Sequence, residues 1–410
     1  MKTFTPVELG SFKPRNRMVI APMTRLRSNA KGVPSASTPL YYAQRSGAGL
    51  IVSEGVCISA EGVGDLRLPG IWTADQIEVW KKVTEAVHAE NGLIIAQLWH
   101  TGRASHPLLQ ASGSAVGPSA IAIKGTRNHG GDIIPQAIPR ALDIDEIPRV
   151  VADYARAAKN AMDAGFDGVE LHGANGYLVD QFLQDVSNTR TDAYGGSIEN
   201  RTRFLKEVVY ALVEVVGSDR VAVRISPAST FQSMGDSAPE KLWAHVLSEL
   251  STFNLAFLHC VEPGISGASS EKYNANSIDH KWIRSRYSGN LVATGQYTLE
   301  RAERALQSGT LDAVGFGRLY TSNPDLDERF QQGAALIEPD PSTFYQGEDV
   351  GYIDWPSMEG EQLLRQLESG TVTIEEVSVN LSGDQLMGEA SLAEWPRVWA
   401  LSQFRALKAS

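Results

Sequence analysis

Eight short runs of mostly apolar residues recur along the chain, and turn-forming residues separate them. Their side chains do not alternate between apolar and polar, as those of a half-exposed antiparallel strand do. We therefore interpret the runs as parallel strands that are buried on both faces. They are MVIAPM at 18–23, GLIVSEG at 49–55, LIIAQLWH at 93–100, GVELHG at 168–173, VAVRISP at 221–227, AFLHCVE at 256–262, LVATG at 291–295 and AVGFGR at 313–318.

Helical patterns lie between these runs. A capping box formed by Thr73 and Gln76 predicts a helix that extends to Ala89. From Asp143 onward, a second pattern predicts a longer helix with one apolar stripe. The stripe consists of Val150, Tyr154, Ala157 and Ala161. Eight strand–helix units favour a closed (β/α)8 TIM barrel over an open doubly wound sheet, and no G-x-G-x-x-G motif follows the first strand.

Two segments stand outside this repeat. Residues 101–142, after the third run, carry Gly, Ser, Pro and His without a helical period and predict an insertion over the barrel mouth. We place the barrel at residues 1–356, followed by a C-terminal extension, residues 357–410, whose role is open between a lid, a dimer contact and an added layer. Within the extension EGEQLLRQLESG predicts a helix, TVTIEEVSV predicts a strand, and Trp395 and Trp399 mark its last part.

Composition excludes several classes of protein. The chain has 37 Lys and Arg residues against 48 Asp and Glu residues, a net charge of −11, and the basic residues are scattered. This charge argues against nucleic-acid binding, and no apolar stretch reaches the roughly 20 residues of a membrane helix. The first residues do not read as a signal peptide, and the two cysteines are Cys57 and Cys260. We therefore expect a cytoplasmic protein without disulfides that binds neither nucleic acid nor membrane.

Polar residues collect where the predicted strands end, which is the functional face of a TIM barrel. Arg224 interrupts an apolar run, and burial of its charge is costly without an anionic or electron-rich partner. Gly295 ends the seventh run, and Gly317 and Arg318 end the eighth. Backbone amides and an arginine at these two strand ends favour a phosphate site, whereas Arg318 considered alone is more simply a surface salt-bridge residue.

The end of the fourth run predicts a site for a carbonyl group. His172 and Asn175 are three residues apart and can direct two neutral donors at one oxygen, as an oxyanion hole does. Tyr177 follows two residues later and offers a phenolic proton. Each residue alone has an ordinary interpretation, as a core histidine, a turn asparagine or a packed tyrosine. Their shared position at a strand end favours the site.

Metal and nucleophile chemistry have little support in the sequence. The eight histidines show no metal-ligand spacing such as H-E-x-x-H, and no G-x-S-x-G motif is present. A phosphate site and carbonyl-polarising donors then favour redox chemistry on an organic cofactor, without a metal.

Ordered motifs from about residue 3 to Pro356 resemble those of the old yellow enzymes, which are FMN-dependent ene reductases. The motifs are APMTR at 21–25, EG at 54–55, PGIW at 69–72, QLWHTGR at 97–103, HGANGYLVDQFL at 172–183, N-x-R-x-D-x-YGGS-x-ENR at 188–201, GFGR at 315–318, NPDL at 323–326 and GYIDWP at 351–356. The resemblance implies that NADPH or NADH reduces a bound FMN, and that an α,β-unsaturated carbonyl compound is reduced in turn at the same site.

The resemblance also assigns roles to single residues. It implies that His172 and Asn175 bind the substrate carbonyl, and that Tyr177 protonates the α-carbon after hydride reaches the β-carbon from flavin N5. The residues implied to hold the isoalloxazine ring are Pro22, Met23, Thr24, Gly55, Gln97 and Arg224. Those implied to hold the phosphate are Gly295, Gly317 and Arg318.

The chain departs from the family pattern at a few places. Many relatives carry a Tyr shortly before PGIW, where this chain has Asp65, and the aromatic pair of the GYTDYP segment is Tyr352 and Trp355. The sequence leaves the substrate preference and a homodimeric assembly open. Two other functions also stay open: a flavin-dependent isomerase or desaturase of a specialised metabolite on the same scaffold, and a non-catalytic flavin-binding or interaction protein.

Overall fold

The structure is a computed structural model that describes residues 1–266, 269–270, 278–377 and 394–409. Its centre is a closed barrel of eight parallel strands, in which each strand pairs with the next along the chain and the last pairs with the first. The strands are β1 (Met18–Ile20), β2 (Leu50–Cys57), β3 (Ile94–Trp99), β4 (Gly168–Gly173), β5 (Val221–Ile225), β6 (Phe257–Val261), β7 (Leu291–Thr294) and β8 (Ala313–Phe316). All eight predicted strands and the (β/α)8 TIM barrel are confirmed.

Helices follow the strands and cover the outside of the barrel. They are α1 (Thr38–Ala43), α2 (Ala74–Ala89), α3 (Ile147–Asp163), α4 (Leu178–Leu183), α5 (Ile198–Val216), α6 (Pro239–Leu250), α7 (His280–Arg284), α8 (Leu299–Gln307), α9 (Arg318–Ser322) and α10 (Leu326–Gln332). Thr73 and Gln76 form the predicted capping box of α2, and the predicted stripe of α3 is fully buried. None of the described helices is long and apolar enough to cross a bilayer.

The barrel interior changes character from one end to the other. Inward-facing residues near the N-terminal end, such as Ala222 and Phe257, form an apolar layer that Phe12 closes from below. Two residues further along the same strands stand Arg224 and His259. Because side chains two apart on a strand share a face, a polar layer lies directly above the apolar one. Gln97, Glu170, Arg224 and His259 all belong to it and are buried.

The predicted insertion after β3 is present. It contains an antiparallel pair of strands, Thr126–His129 and Asp132–Pro135, and a short parallel pair, Val116–Gly117 and Arg140–Ala141. We call Thr126–Pro135 the insertion hairpin. Side chains from the insertion reach the cavity at the C-terminal end of the barrel.

The described part of the extension is helical. It consists of α11 (Met358–Ser369), α12 (Ile374–Val377) and α13 (Trp395–Ala409). The predicted helix is confirmed as α11, but the predicted strand at TVTIEEVSV is wrong. Thr373 and Glu376 form a capping box. The backbone N–H of Thr373 donates to the Glu376 carboxylate at 2.7 Å, and the backbone N–H of Glu376 donates to Oγ1 of Thr373 at 3.3 Å. This capping box starts a helical turn, and the last two residues of the motif lie outside the described residues.

Candidate active site

A large cavity opens at the C-terminal end of the barrel. Its volume is about 1350 Å³, more than the roughly 300–1,000 Å³ of a typical site for one small molecule. The cavity therefore has room for a cofactor and a second ligand together. Its walls include most of the site residues that the sequence predicts: Pro22, Met23, Thr24, Gln97, His172, Asn175, Tyr177, Arg224, Gly295, Gly317 and Arg318.

Gly55 is the predicted site residue that does not line this cavity. A Cβ atom at position 55 would lie 2.3 Å from Cε3 of Trp99, so the glycine makes room for the indole ring. Trp99 itself faces the cavity. Gly55 thus lies behind Trp99, and its direct contact with a flavin ring stays a prediction.

The floor of the cavity carries a buried cation. Arg224 is 7% exposed, and its Nε atom has no hydrogen-bond partner within the described residues. Burial lowers the pKa of the guanidinium, and the negative charge of Glu170 opposes this effect. A buried polar group without a partner costs free energy. A ligand that presents acceptor atoms to the floor would remove that cost.

Two glycines bring the backbone close to one side of the cavity. Gly295 has a φ of +144°, and a Cβ atom there would lie 2.9 Å from Cβ of Glu262. A side chain at position 295 would therefore be both strained and crowded. Gly317 follows the neighbouring strand β8, and Arg318 comes directly after it. This side gathers backbone amides and one cation, the groups that bind a phosphate.

The carbonyl-binding pair predicted at the end of β4 faces the same cavity. Nδ1 of His172 and Oδ1 of Asn175 are buried without a hydrogen-bond partner within the described residues. Asn175 has a φ of +57°, and its backbone N–H donates to Oγ of Ser226 at 2.7 Å, which fixes the turn. Burial, with help from the charge of Arg224, holds the pKa of His172 well below its ordinary value. The imidazole is therefore neutral and offers one N–H.

Tyr177 stands beside this pair. Its ring centroid lies 4.9 Å from that of His172 and 4.7 Å from that of Trp99, with both contacts edge-to-face. Burial raises the pKa of the phenol well above its ordinary value, although a hydrogen bond from Gln232 lowers it in part. The hydroxyl therefore keeps its proton at neutral pH.

These residues fit FMN. The unpartnered Arg224 needs acceptor atoms, which the pyrimidine edge of a flavin has, and the amides of Gly295 and Gly317 with Arg318 suit its phosphate. The cavity volume leaves space beside the ring for a second ligand. Within the described residues, no group of three or more His, Cys, Asp or Glu side chains is placed to hold a metal ion.

Comparison with known proteins shows the family of the chain. Residues 2–336 match the NADH:flavin oxidoreductase / NADH oxidase family. The chain belongs to this family. It is 42% identical over 372 residues to 12-oxophytodienoate reductase 7 of Oryza sativa subsp. japonica, with 86% of this chain and 94% of the rice protein covered.

Two solved structures extend the comparison. Morphinone reductase in complex with tetrahydroNAD has a TM-score of 0.82 and 45% identity, with 87% of this chain and 98% of that chain covered. The old yellow enzyme homologue from Zymomonas mobilis has a TM-score of 0.83 and 41% identity, with 87% and 99% covered. The protein is thus an FMN-dependent oxidoreductase of the old yellow enzyme type that uses a nicotinamide reductant.

Asp65, where the family pattern described above has a tyrosine, lies at the cavity. It lines the wall, and its carboxylate accepts a hydrogen bond from the Leu66 amide at 2.7 Å. Burial raises its pKa, and the charge of Arg127 in the insertion hairpin opposes this. An aromatic ring reaches the wall from elsewhere, because Tyr345 also lines the cavity. The wall above Tyr177 is therefore more polar than a tyrosine at position 65 would make it.

Several residues of this old yellow enzyme site were not predicted from the sequence. Arg127 lies on the insertion hairpin, and Gln232 and Tyr345 lie in segments that connect elements of the barrel, so their positions carry no periodic signal. Gln232 also has a φ of +58°, which its residue type does not reveal. Glu170 did have a signal, because it is a charged residue inside an apolar run, as Arg224 is.

Proposed function

We propose that this protein reduces the C=C bond of α,β-unsaturated ketones, aldehydes or related compounds, with NADPH or NADH as the reductant. One observation carries the proposal: His172, whose buried Nδ1 atom has no partner within the described residues, and Asn175 line the same cavity as Tyr177 and Arg224. Neutral donors beside a protonated phenol suit a substrate that has a carbonyl oxygen and a carbon to be protonated.

In this proposal each residue of the carbonyl site has a separate role in the reaction. Bound FMN supplies the hydride. The N–H groups of His172 and Asn175 donate to the substrate carbonyl and stabilise the negative charge that develops on its oxygen. Tyr177 gives its proton to the α-carbon, and its raised pKa means that the phenol is protonated at neutral pH before this step. Edge-to-face contacts with His172 and Trp99 hold the phenol ring in place.

The flavin would be held from two sides. We assign the isoalloxazine ring to Pro22, Met23, Thr24, Gly55, Gln97 and Arg224. Arg224 would donate to the acceptor atoms of the pyrimidine edge, so its buried Nε atom would gain a hydrogen-bond partner. We assign the phosphate to Gly295, Gly317 and Arg318.

The catalytic unit in this proposal is the barrel of residues 1–356, and its partner is a small molecule. We also propose a cytoplasmic setting, which the free thiols of Cys57 and Cys260 support. A homodimer is the assembly we would test first.

The proposal is tested with purified protein under anaerobic conditions. The protein should be yellow, should lose its colour with NADPH, and should regain it when cyclohexenone is added. The double variant His172→Ala/Asn175→Ala should still be bleached by NADPH but should bind the enone at least about 100-fold more weakly, because both carbonyl donors are lost. His245→Ala, on α6 and away from the cavity, is the matched control and should behave as the wild type.

Other results would point elsewhere. A colourless protein that takes up no flavin would contradict the cofactor and the function. A flavin that NADPH reduces but enones do not reoxidise would favour an isomerase, a desaturase or a non-catalytic flavin-binding protein.

A further inference from the structure

A chain of hydrogen bonds runs across the barrel beneath the cavity. Nε2 of Gln97 donates to Oε1 of Glu170 at 2.7 Å, and Oε2 of Glu170 is 2.7 Å from Nδ1 of His259. Nε2 of His259 is in turn 2.5 Å from Oγ1 of Thr294. Glu170 and His259 are completely buried and do not line the cavity, whereas Gln97 and Thr294 do. The chain thus links β3, β4, β6 and β7.

The direction of every proton in this chain follows from Glu170. A carboxylate only accepts hydrogen bonds, so Gln97 must present its N–H₂ group and His259 must carry its proton on Nδ1. Burial lowers the pKa of His259, so the ring is neutral and its Nε2 atom is an acceptor. Thr294 must then donate its hydroxyl proton to that atom. Two donors converge on Glu170 from opposite sides.

This orientation determines what Gln97 shows to the cavity. Its Nε2 atom is held by Glu170, and no described residue donates to its Oε1 atom. Gln97 therefore presents an acceptor to a bound ligand. Without a negative group at position 170, the amide could turn and present a donor instead.

Glu170 also acts on Arg224, the buried cation of the cavity floor. Its carboxylate is the leading influence that opposes the desolvation of Arg224. Glu170 pairs in register with Gln97 on β3, and His172, two residues further along β4, pairs with Arg224 on β5. One carboxylate thus acts on two neighbouring residues of the floor.

We propose that Glu170 is a positioning residue that sets the donor–acceptor pattern and the charge of the cavity floor, and through them the affinity and the reduction potential of bound FMN. This inference rests on the proposed role of Gln97 and Arg224 as partners of the flavin ring. Reduction adds electrons to the ring, so a more positive floor favours the reduced form. Removal of the Glu170 charge should therefore raise the potential.

The test compares charge with geometry. Glu170→Gln keeps the shape but removes the charge, and its flavin should be easier to reduce by at least tenfold in the equilibrium constant, about 30 mV for two electrons. Its Kd for FMN should rise about tenfold, because Gln97 is no longer held as an acceptor. Glu170→Asp keeps the charge but withdraws it from Gln97, so the Kd should rise while the potential changes little. The potential is measured against a reference dye, and the Kd by titration of apoprotein with FMN.

Controls separate this role from a general structural one. Asp327→Asn removes another buried carboxylate, on α10 and away from the cavity, and should leave both values unchanged. If Glu170→Gln does not fold, Glu170→Asp still tests the effect on affinity. Wild-type values of potential and Kd in folded Glu170→Gln, or a wild-type Kd in Glu170→Asp, would overturn the inference. Neither measurement uses an enone, so failure of the proposed alkene reduction would be seen separately.

Discussion

The proton of Tyr177 is retained because of where the residue lies. A free phenol has a pKa near 10, and burial raises that of Tyr177 further. The group therefore stays protonated across the physiological range and is suited to act as an acid but not as a base. Its neighbour His172 is held neutral by the same dry surroundings. The two residues thus present a proton and a hydrogen-bond donor without adding charge to the cavity.

At the residue scale we predict that Tyr177→Phe slows alkene reduction by about 10²- to 10⁴-fold, the usual contribution of a positioned acid. Reduction of the flavin by NADPH should change by less than about threefold, because that half-reaction needs no proton from Tyr177. Anaerobic stopped-flow measurement of the two half-reactions checks both values.

Tyr210→Phe is the matched control for this variant, because Tyr210 is an exposed tyrosine on α5. It should leave both half-reactions at wild-type rates. Equal slowing of the two half-reactions in Tyr177→Phe would contradict the proton-donor role and would indicate a disturbed flavin site.

Strand-end residues could be predicted from the sequence because the barrel brings them together. His172 and Arg224 are far apart in sequence, but their strands are neighbours and the two residues pair in register. The position of Gly55 behind the cavity wall could not be predicted, because it depends on the indole ring of Trp99 on the neighbouring strand. The positions of Arg127 and Gln232 depend on how the insertion hairpin and the segment after β5 fold over the barrel.

At the scale of elements, local capping explains why the strand predicted at TVTIEEVSV is a helix instead. The alternation in TVTIEEVSV is that of a strand, but Thr373 and Glu376 have the spacing of a capping box and start α12 instead. The barrel strands had no such competing signal. Apolar runs with flanking turns therefore predicted strands better than the alternation of TVTIEEVSV did.

The insertion hairpin is tied to the cavity wall through Arg127. Nη1 of Arg127 donates to the carbonyl of Ala104 at 2.9 Å, and Nη2 donates to the carbonyl of Gly64. Burial lowers the pKa of Arg127, and Asp65 is the first group that opposes this. One side chain thus joins the hairpin to the segments that contain Gly64 and Ala104.

We predict that Arg127→Ala loosens the hairpin without harming the flavin site. Amide hydrogen exchange in residues 126–135 should become faster, because two carbonyl anchors are lost. The KM for the enone should rise several-fold, whereas the Kd for FMN should stay at its wild-type value. Hydrogen-exchange mass spectrometry and steady-state kinetics check these outcomes. Asp132→Ala, at an exposed position of the same hairpin, is the control, and equal exchange in Arg127→Ala and the wild type would contradict the tie.

At the scale of the whole molecule, the extension is attached to the barrel by both polar and apolar contacts. The amide of Met358 donates to Oδ2 of Asp325 at 2.6 Å, and Nη2 of Arg329 lies 3.3 Å from Oε2 of Glu361. Leu367, Trp395, Trp399 and Leu401 are buried in the hydrophobic cluster that surrounds the barrel. None of the described extension residues lines the large cavity. The described part thus forms an added layer on the barrel, beyond the residues that match the family.

This packing predicts that the extension stabilises the barrel without shaping its site. Trp399 is 7% exposed, and its Nε1 atom donates to the carbonyl of Asp354 at 2.7 Å. Trp399→Ala should therefore lower the free energy of unfolding by about 3–5 kcal/mol, the usual cost of removing a buried tryptophan. Deletion of residues 357–410 should lower the Tm further, while kcat and KM with cyclohexenone stay within about twofold below that Tm. Calorimetry and kinetics test this, and Arg397→Ala, an exposed position on α13, is the control. A truncated protein with wild-type Tm and altered KM would show instead that the extension belongs to the site.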